Sequence, residues 1–280
     1  MTCFEQTKIT FNERLAESKL RSAFQEARNR HSVSRADMGL LHSSHRNKLL
    51  AVNRHSRVRW GRAVCDELSG FFCDPDGVEH NQPIFLVTLV HTSCVTSVSA
   101  GDIDVDAIKT RLRSGLRGLS HVGMIEPAYY VNLQKGIFVE RRCMSWHLHA
   151  LVWGISKREL LRALEVSGRY VSIVPGLMAV DVREVQQGDL PTVVGYILKS
   201  PWSAYRVTKY DADKNGNILR DANGAPRPFY LQGKSKLCPG ERITLFHTLK
   251  PFYLDKLAVA GGEGTPLLAR AKRFALSTHQ

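Results

Sequence analysis

No CxxC pair occurs in the chain, although it has six cysteines, at positions 3, 65, 73, 94, 143 and 238. Scattered thiols without that spacing argue against a zinc ribbon or finger and against a disulfide framework, and a reducing cytosol is their simplest setting. No apolar run approaches the ~20 residues a membrane-spanning helix needs. The first residues, with Glu5, Lys8, Glu13 and Arg14 spread through them, lack the apolar core of a secretory signal. A soluble, cytoplasmic protein with no membrane partner is therefore expected. Internal repeats and low-complexity tracts are absent. A Walker A loop is missing too, since Gly233-Lys234-Ser235 has Pro228 where that motif needs its first glycine. Acidic residues are scarce, 26 against 39 Lys and Arg, which leaves a formal charge of +13 and a pI near 9.7. Such an excess favours a polyanionic partner, because each neutralised phosphate releases condensed counterions. Charge alone does not separate DNA from RNA or from an anionic membrane surface.

What is present is an ordinary globular composition. The apolar fraction is 43% over 280 residues, enough for one substantial core with extensions at both ends. Residues 1–80 are basic and poor in strand signals. Helical spacing over 10–30 places Phe11, Leu15, Leu20 and Phe24 among charges, and a basic stretch follows with Arg46, Lys48, Arg54, Arg57, Arg59 and Arg62. Residues 74–77 (DPDG) read as a turn. Residues 81–205 change character. Residues 84–91 (IFLVTLVH) form a buried strand by composition. Asp102 or Asp104 can cap a helix reaching 119, with Ile108, Leu112, Leu116 and Leu119 on one face. Strands are predicted at 122–133, 145–153 and 177–185, with a turn over 132–137. Ser156 opens a helix with Glu159 in the capping-box position. Pro191 opens a last helix that Pro201 stops. The order βαββαβ plus one helix predicts an α+β fold with a ferredoxin-like core, one antiparallel sheet with helices on one face. Residues 206–280 add a polar hairpin signal at 211–224, a helix over 241–258, a Gly-rich break at 261–264 and a basic helix.

Two short patterns carry chemistry. Trp146-His147-Leu148-His149 sits in a strand, where alternate side chains share a face, so His147 and His149 project together about 7 Å apart. Their ring nitrogens can converge on one ion, although an HxH alone also fits two half-buried strand histidines. Tyr196-Ile197-Leu198-Lys199 sits on a helix, where positions i and i+3 are neighbours, so the phenol and the ammonium can address one group. A phenol is a poor nucleophile at neutral pH and improves beside a cation and a metal-polarised phosphate. The stretch from Asp211 to Gly216 imitates an EF-hand loop, but its twelfth position is Ala222 where a bidentate Glu is required, so a hairpin turn explains it better.

Taken in order, Phe85-Leu86-Val87-Thr88-Leu89, His147-Leu148-His149 and Tyr196 to Lys199 resemble the three motifs of the HUH endonucleases, over about 120 of the 280 residues. The likeness is strongest to the single-tyrosine initiators of rolling-circle replication. It implies nicking and rejoining of single-stranded or hairpin origin DNA, with Tyr196 as nucleophile, Lys199 beside it, and Mg²⁺ or Mn²⁺ held by His147 and His149. The family's third ligand falls on the strand before the histidines. Glu126 is the preferred position and Glu140 the alternative, while His91 and His121 are read as structural or DNA-contacting. A host helicase and polymerase are implied as partners, since no helicase domain accompanies the motifs. Trp146, Trp153 and Trp202 are available for base stacking where exposed, with burial favoured for Trp153. Two departures stand out. Ser200 occupies the position of the second tyrosine of two-tyrosine members, and Thr192 that of the glutamate which activates water in some single-tyrosine initiators. A single-tyrosine transposase, a relaxase, or a nucleic-acid binder without catalysis are the alternatives.

Overall fold

The computed structural model describes residues 3–28, 33–42, 48–72, 82–99, 101–133, 140–168, 170–201, 203–212, 215–220, 223–224 and 229–277. The turn expected at 74–77, most of the one at 132–137, parts of the 211–224 connection and Trp202 lie outside them.

The chain is a mixed α+β protein built on a mostly antiparallel sheet. Three helices come first, α1 (Cys3–Arg28), α2 (Arg35–His42) and α3 (Arg54–Phe72). Then follow β1 (Ile84–Ser97), α4 (Val105–Leu112), β2 (Ser120–Val131), β3 (Arg142–Trp153), α5 (Lys157–Ala163), β4 (Val180–Val185) and α6 (Leu190–Leu198). The last part is β5 (Ser203–Tyr210), β6 (Phe229–Lys236), α7 (Pro239–Leu249), α8 (Leu254–Leu257), β7 (Ala258–Gly261) and α9 (Gly264–Ser277). The sheet runs β4-β1-β3-β2-β5-β6, with β7 adding to β2. All its pairings are antiparallel except β2 with β5.

Local chemistry sets the ends of these elements. Asp104 caps α4 by accepting from the Ala107 amide at 2.9 Å. The helix stops at Leu112, short of the expected 119, because Gly115 and Gly118 follow and Gly118 adopts φ +81°. Leu116 still reaches the core from a single tight turn. Ser156 and Glu159 form the reciprocal capping box that opens α5. The helix expected over 241–258 is divided into α7 and α8, with Pro251 between them unable to continue a helical hydrogen-bond ladder.

Alternation along β2 and β3 gives the sheet two distinct faces. Trp146 and Leu148 point to one, where Trp146 meets Phe252 edge-on at 6.0 Å. His147, His149, Leu151 and Trp153 point to the other. There Trp153 packs against Phe71 and Phe72 of α3, and Leu151 shares a small void with Val194 and Ile197 of α6. Residues from all three segments read in the sequence contribute to one apolar cluster, from Leu20 and Phe24 of α1 through the central strands to Leu267 of α9. A membrane-crossing helix is not found among the described residues.

Candidate metal and tyrosine site

The β2–β3 register places Glu126 opposite His147 and Met124 opposite His149. Because paired residues of an antiparallel ladder share a face, the carboxylate and both imidazoles converge. His147 Nε2 lies 3.1 Å from Glu126 Oε1 and 3.0 Å from His149 Nε2, and His149 Nε2 lies 3.4 Å from the same carboxylate oxygen. All three side chains are buried. Among the described residues, these three form the group of acidic and imidazole side chains able to hold an ion, and Glu140, just before β3, is not part of it.

The donor set fits a divalent cation. Two ligands ~2.1 Å from one ion at right angles stand ~3 Å apart, close to the separations here. The remaining ring nitrogens face inward supports. His149 Nδ1 hydrogen-bonds with Thr88 Oγ1 at 2.9 Å, and His147 Nδ1 lies 3.5 Å from the Ser145 carbonyl. Thr88 stands opposite His149 in the β1–β3 ladder. With Nδ1 turned to these supports, Nε2 of each ring is the nitrogen that faces Glu126 and would ligate an ion. Electrostatics agree. Burial and the neighbouring His147 push the His149 imidazole down to about 4, against the pull of Glu126, so it is neutral at pH 7. Burial alone would raise the Glu126 carboxyl, yet hydrogen bonds with His147 and His149 and the charges of His147 and Lys199 hold it well below the usual carboxylate range.

Tyr196 comes to this group from α6, the short helix that Pro191 opens. Its ring centroid lies 5.0 Å from that of His149, and the side chain is 39% exposed. Lys199 folds back over it, with Nζ 3.2 Å from the ring centroid and 3.3 Å from the Tyr196 carbonyl. The pair meets with the ammonium on the ring face, although Lys199 is the extended residue that ends α6 and not a helical i+3 neighbour. Burial, then the negative charge of Glu126, raises the Tyr196 phenol. Burial lowers the Lys199 ammonium.

Other residues singled out in the sequence lie elsewhere. His91 contacts Ser93 and Arg111. His121 is buried at the start of β2, with Nδ1 2.9 Å from the Leu119 carbonyl. Trp146 and Trp153 are buried and hydrogen-bonded to Thr96 and Glu263, so neither offers a stacking surface.

The structure adds residues that sequence reading did not single out. In the sequence Thr88 is one position of an apolar strand, and its role depends on β1–β3 register. Arg57 was grouped with a basic stretch, but it is buried, donating to the Ala51 carbonyl at 2.5 Å and the Leu198 carbonyl at 3.3 Å. Glu13 of α1 is buried as well and accepts from the Ser200 amide at 3.0 Å and its hydroxyl at 2.7 Å. Arg57 and Glu13 thus grip the end of the helix that bears Tyr196, on either side of Lys199. Compared with known proteins, the chain matches no family model, and no curated protein or solved structure matches it.

Proposed function

We propose that the protein is a metal-dependent, single-tyrosine DNA-nicking enzyme of the HUH type that starts rolling-circle replication of a plasmid or phage in the cytoplasm. The observation that carries this reading is the meeting of a buried Glu126-His147-His149 triad with the Tyr196 ring, brought together from β2, β3 and α6. The succession β1-α4-β2-β3-α5-β4, with neighbours in the order β4-β1-β3-β2, supports a ferredoxin-like core as the frame.

The triad would hold Mg²⁺ or Mn²⁺, which supplies polarisation of the scissile phosphate and charge stabilisation in the transition state. Tyr196 Oη attacks phosphorus from the exposed side of its helix and gives up its proton to solvent. The P–O3′ bond breaks, and the departing 3′ oxygen takes a proton from water. The products are a 5′-phosphotyrosyl link and a 3′-hydroxyl that a host polymerase can extend behind a host helicase. Lys199 offsets negative charge beside the phenolate and holds the ring by its face. The link conserves the phosphodiester, so a later hydroxyl can reverse the step and rejoin strands. Ser200 does not stand in for a second tyrosine, because its hydroxyl is buried and committed to Glu13.

With pooled single-stranded DNA and Mn²⁺, wild-type protein is expected to form an adduct that survives denaturation. Tyr196→Phe is expected to form none while binding the same DNA within about twofold, as deletion of one hydroxyl leaves phosphate contacts in place. Adduct from the Phe variant would remove Tyr196 from the role.

A further inference from the structure

A cavity of about 220 Å³ opens beside Tyr196, walled by α1, α3 and α6. It is smaller than the roughly 300–1,000 Å³ of sites for drug-sized ligands, a size suited to one ring system. Ile9, Gly61, Pro191 and Leu198 give it apolar walls, and Asn12 and Thr192 add donors and acceptors. Gly61 adds no side chain to this wall; a Cβ there would stand in ordinary contact with Ile9 at 3.5 Å, so a larger side chain would extend into the space. Two buried charges of opposite sign, Glu13 and Arg57, also line it, each already held by hydrogen bonds to the end of α6. The wall they form carries no net charge, which suits a neutral flat group and not a phosphate. At the mouth the balance changes. Tyr196 and Lys199 line the cavity and also belong to the reacting centre.

We propose that this cavity takes one unstacked nucleobase of the DNA strand next to the scissile linkage, a subsite that deepens, and rests on, the nicking reading above. The aliphatic walls sandwich the ring, as apolar pockets do for extruded bases. Asn12 and Thr192 meet its edge, and Lys199 at the mouth meets the phosphate attached to it. An unstacked base seated there would fix the backbone at Tyr196 without any contact from the sheet.

The test uses full-length protein with ¹³C-labelled isoleucine methyl groups. The four 2′-deoxynucleoside 5′-monophosphates are titrated one at a time, with 2-deoxyribose 5-phosphate as the base-free control. At least one nucleotide is expected to give a saturable upfield shift of the Ile9 methyl signal, and the sugar phosphate none. Gly61→Leu, which fills the cavity, and Asn12→Trp, which plugs its exposed rim, are expected to abolish the response, so one variant suffices if the other does not fold. In single-stranded DNA that forms the adduct, an abasic residue at one position beside the nick is expected to weaken binding about tenfold in wild type and not in these variants. The proposal is overturned if Ile9 responds to no nucleotide, responds equally to the sugar phosphate, keeps its response in the folded variants, or if no abasic position matters. Adduct formation is scored separately. An Ile9 response without adduct removes the nicking reading and the strand as source, whereas adduct without an Ile9 response removes the subsite alone.

Discussion

At the scale of single residues, the site is a buried carboxylate shared by two imidazoles, one of them neutral because of where it sits. His149 has an ordinary value of 6.5 and is held at about 4 in the folded, metal-free protein. Between those values the unfolded chain takes up a proton that the folded chain refuses, so stability falls as pH drops from 6.5 towards 4. The Glu126 carboxyl, also depressed, adds a loss of the same sign at lower pH. Thermal unfolding in chelator should therefore show a melting temperature that falls on acidification, less steeply in His149→Gln; equal slopes would refute the assignment. Thr88 acts on His149 through its second ring nitrogen. Thr88→Val should weaken Mn²⁺ binding by ~10–100-fold, as loss of such supports does elsewhere, read by titration of the free-ion paramagnetic signal. These residues differ in how far the sequence revealed them. Strand alternation puts His147 and His149 on one face but also fits half-buried strand histidines; the ordered motifs single them out, and the resemblance with the pairing of consecutive strands prefers Glu126 over Glu140. Thr88 is not legible, because only the register of β1 against β3 turns a strand threonine into a histidine partner. Arg57 is misread for a physical reason: a basic run on a helix normally faces water, yet one position of each turn faces the core.

At the scale of elements, the nine-residue helix α6 carries Tyr196 and would be marginal alone. Two other helices hold it. The Glu13 carboxylate of α1 takes both the amide and the hydroxyl of Ser200, 187 residues away, and Arg57 of α3 donates to the Leu198 carbonyl. No local pattern reports a partnership at that separation, so the bracing of the tyrosine helix by α1 and α3 is not legible in the sequence. Glu13→Ala strands two buried donors and should cost about 1–3 kcal/mol, and Ser200→Ala about 1 kcal/mol, measured by urea unfolding. The double variant should cost less than the sum, because the two side chains share the bond. Strict additivity would mean the contact contributes nothing. On β2, Gly123 permits close approach of β3; a Cβ there would stand 2.7 Å from the Ala150 Cβ. Strands β1 to β4 and α6 were legible from apolar runs, caps and Pro191, whereas β5 and β6 were marked only by the turn signals between them. Less so were α4, cut short by glycines, and β7, a four-residue strand whose pairing with β2 depends on tertiary contact.

At the scale of the whole molecule, a +13 chain frames a buried, carboxylate-bearing site. On the proposed reading the positive charge would attract a polyanion, and the acid at the centre would repel it until a cation is loaded. DNA binding should weaken steeply with salt, log K falling by ~0.7 per single-strand phosphate contact for each tenfold rise in salt. The most direct measurement of the central claim is mass mapping of nucleotide-linked peptides after incubation of the protein with single-stranded DNA and Mn²⁺. The expected result is a single modified peptide bearing the nucleotide on Tyr196, lost on chelation and in Glu126→Gln. A nucleotide carried by another tyrosine such as Tyr205, or none on metal-loaded protein that binds the DNA, would contradict it.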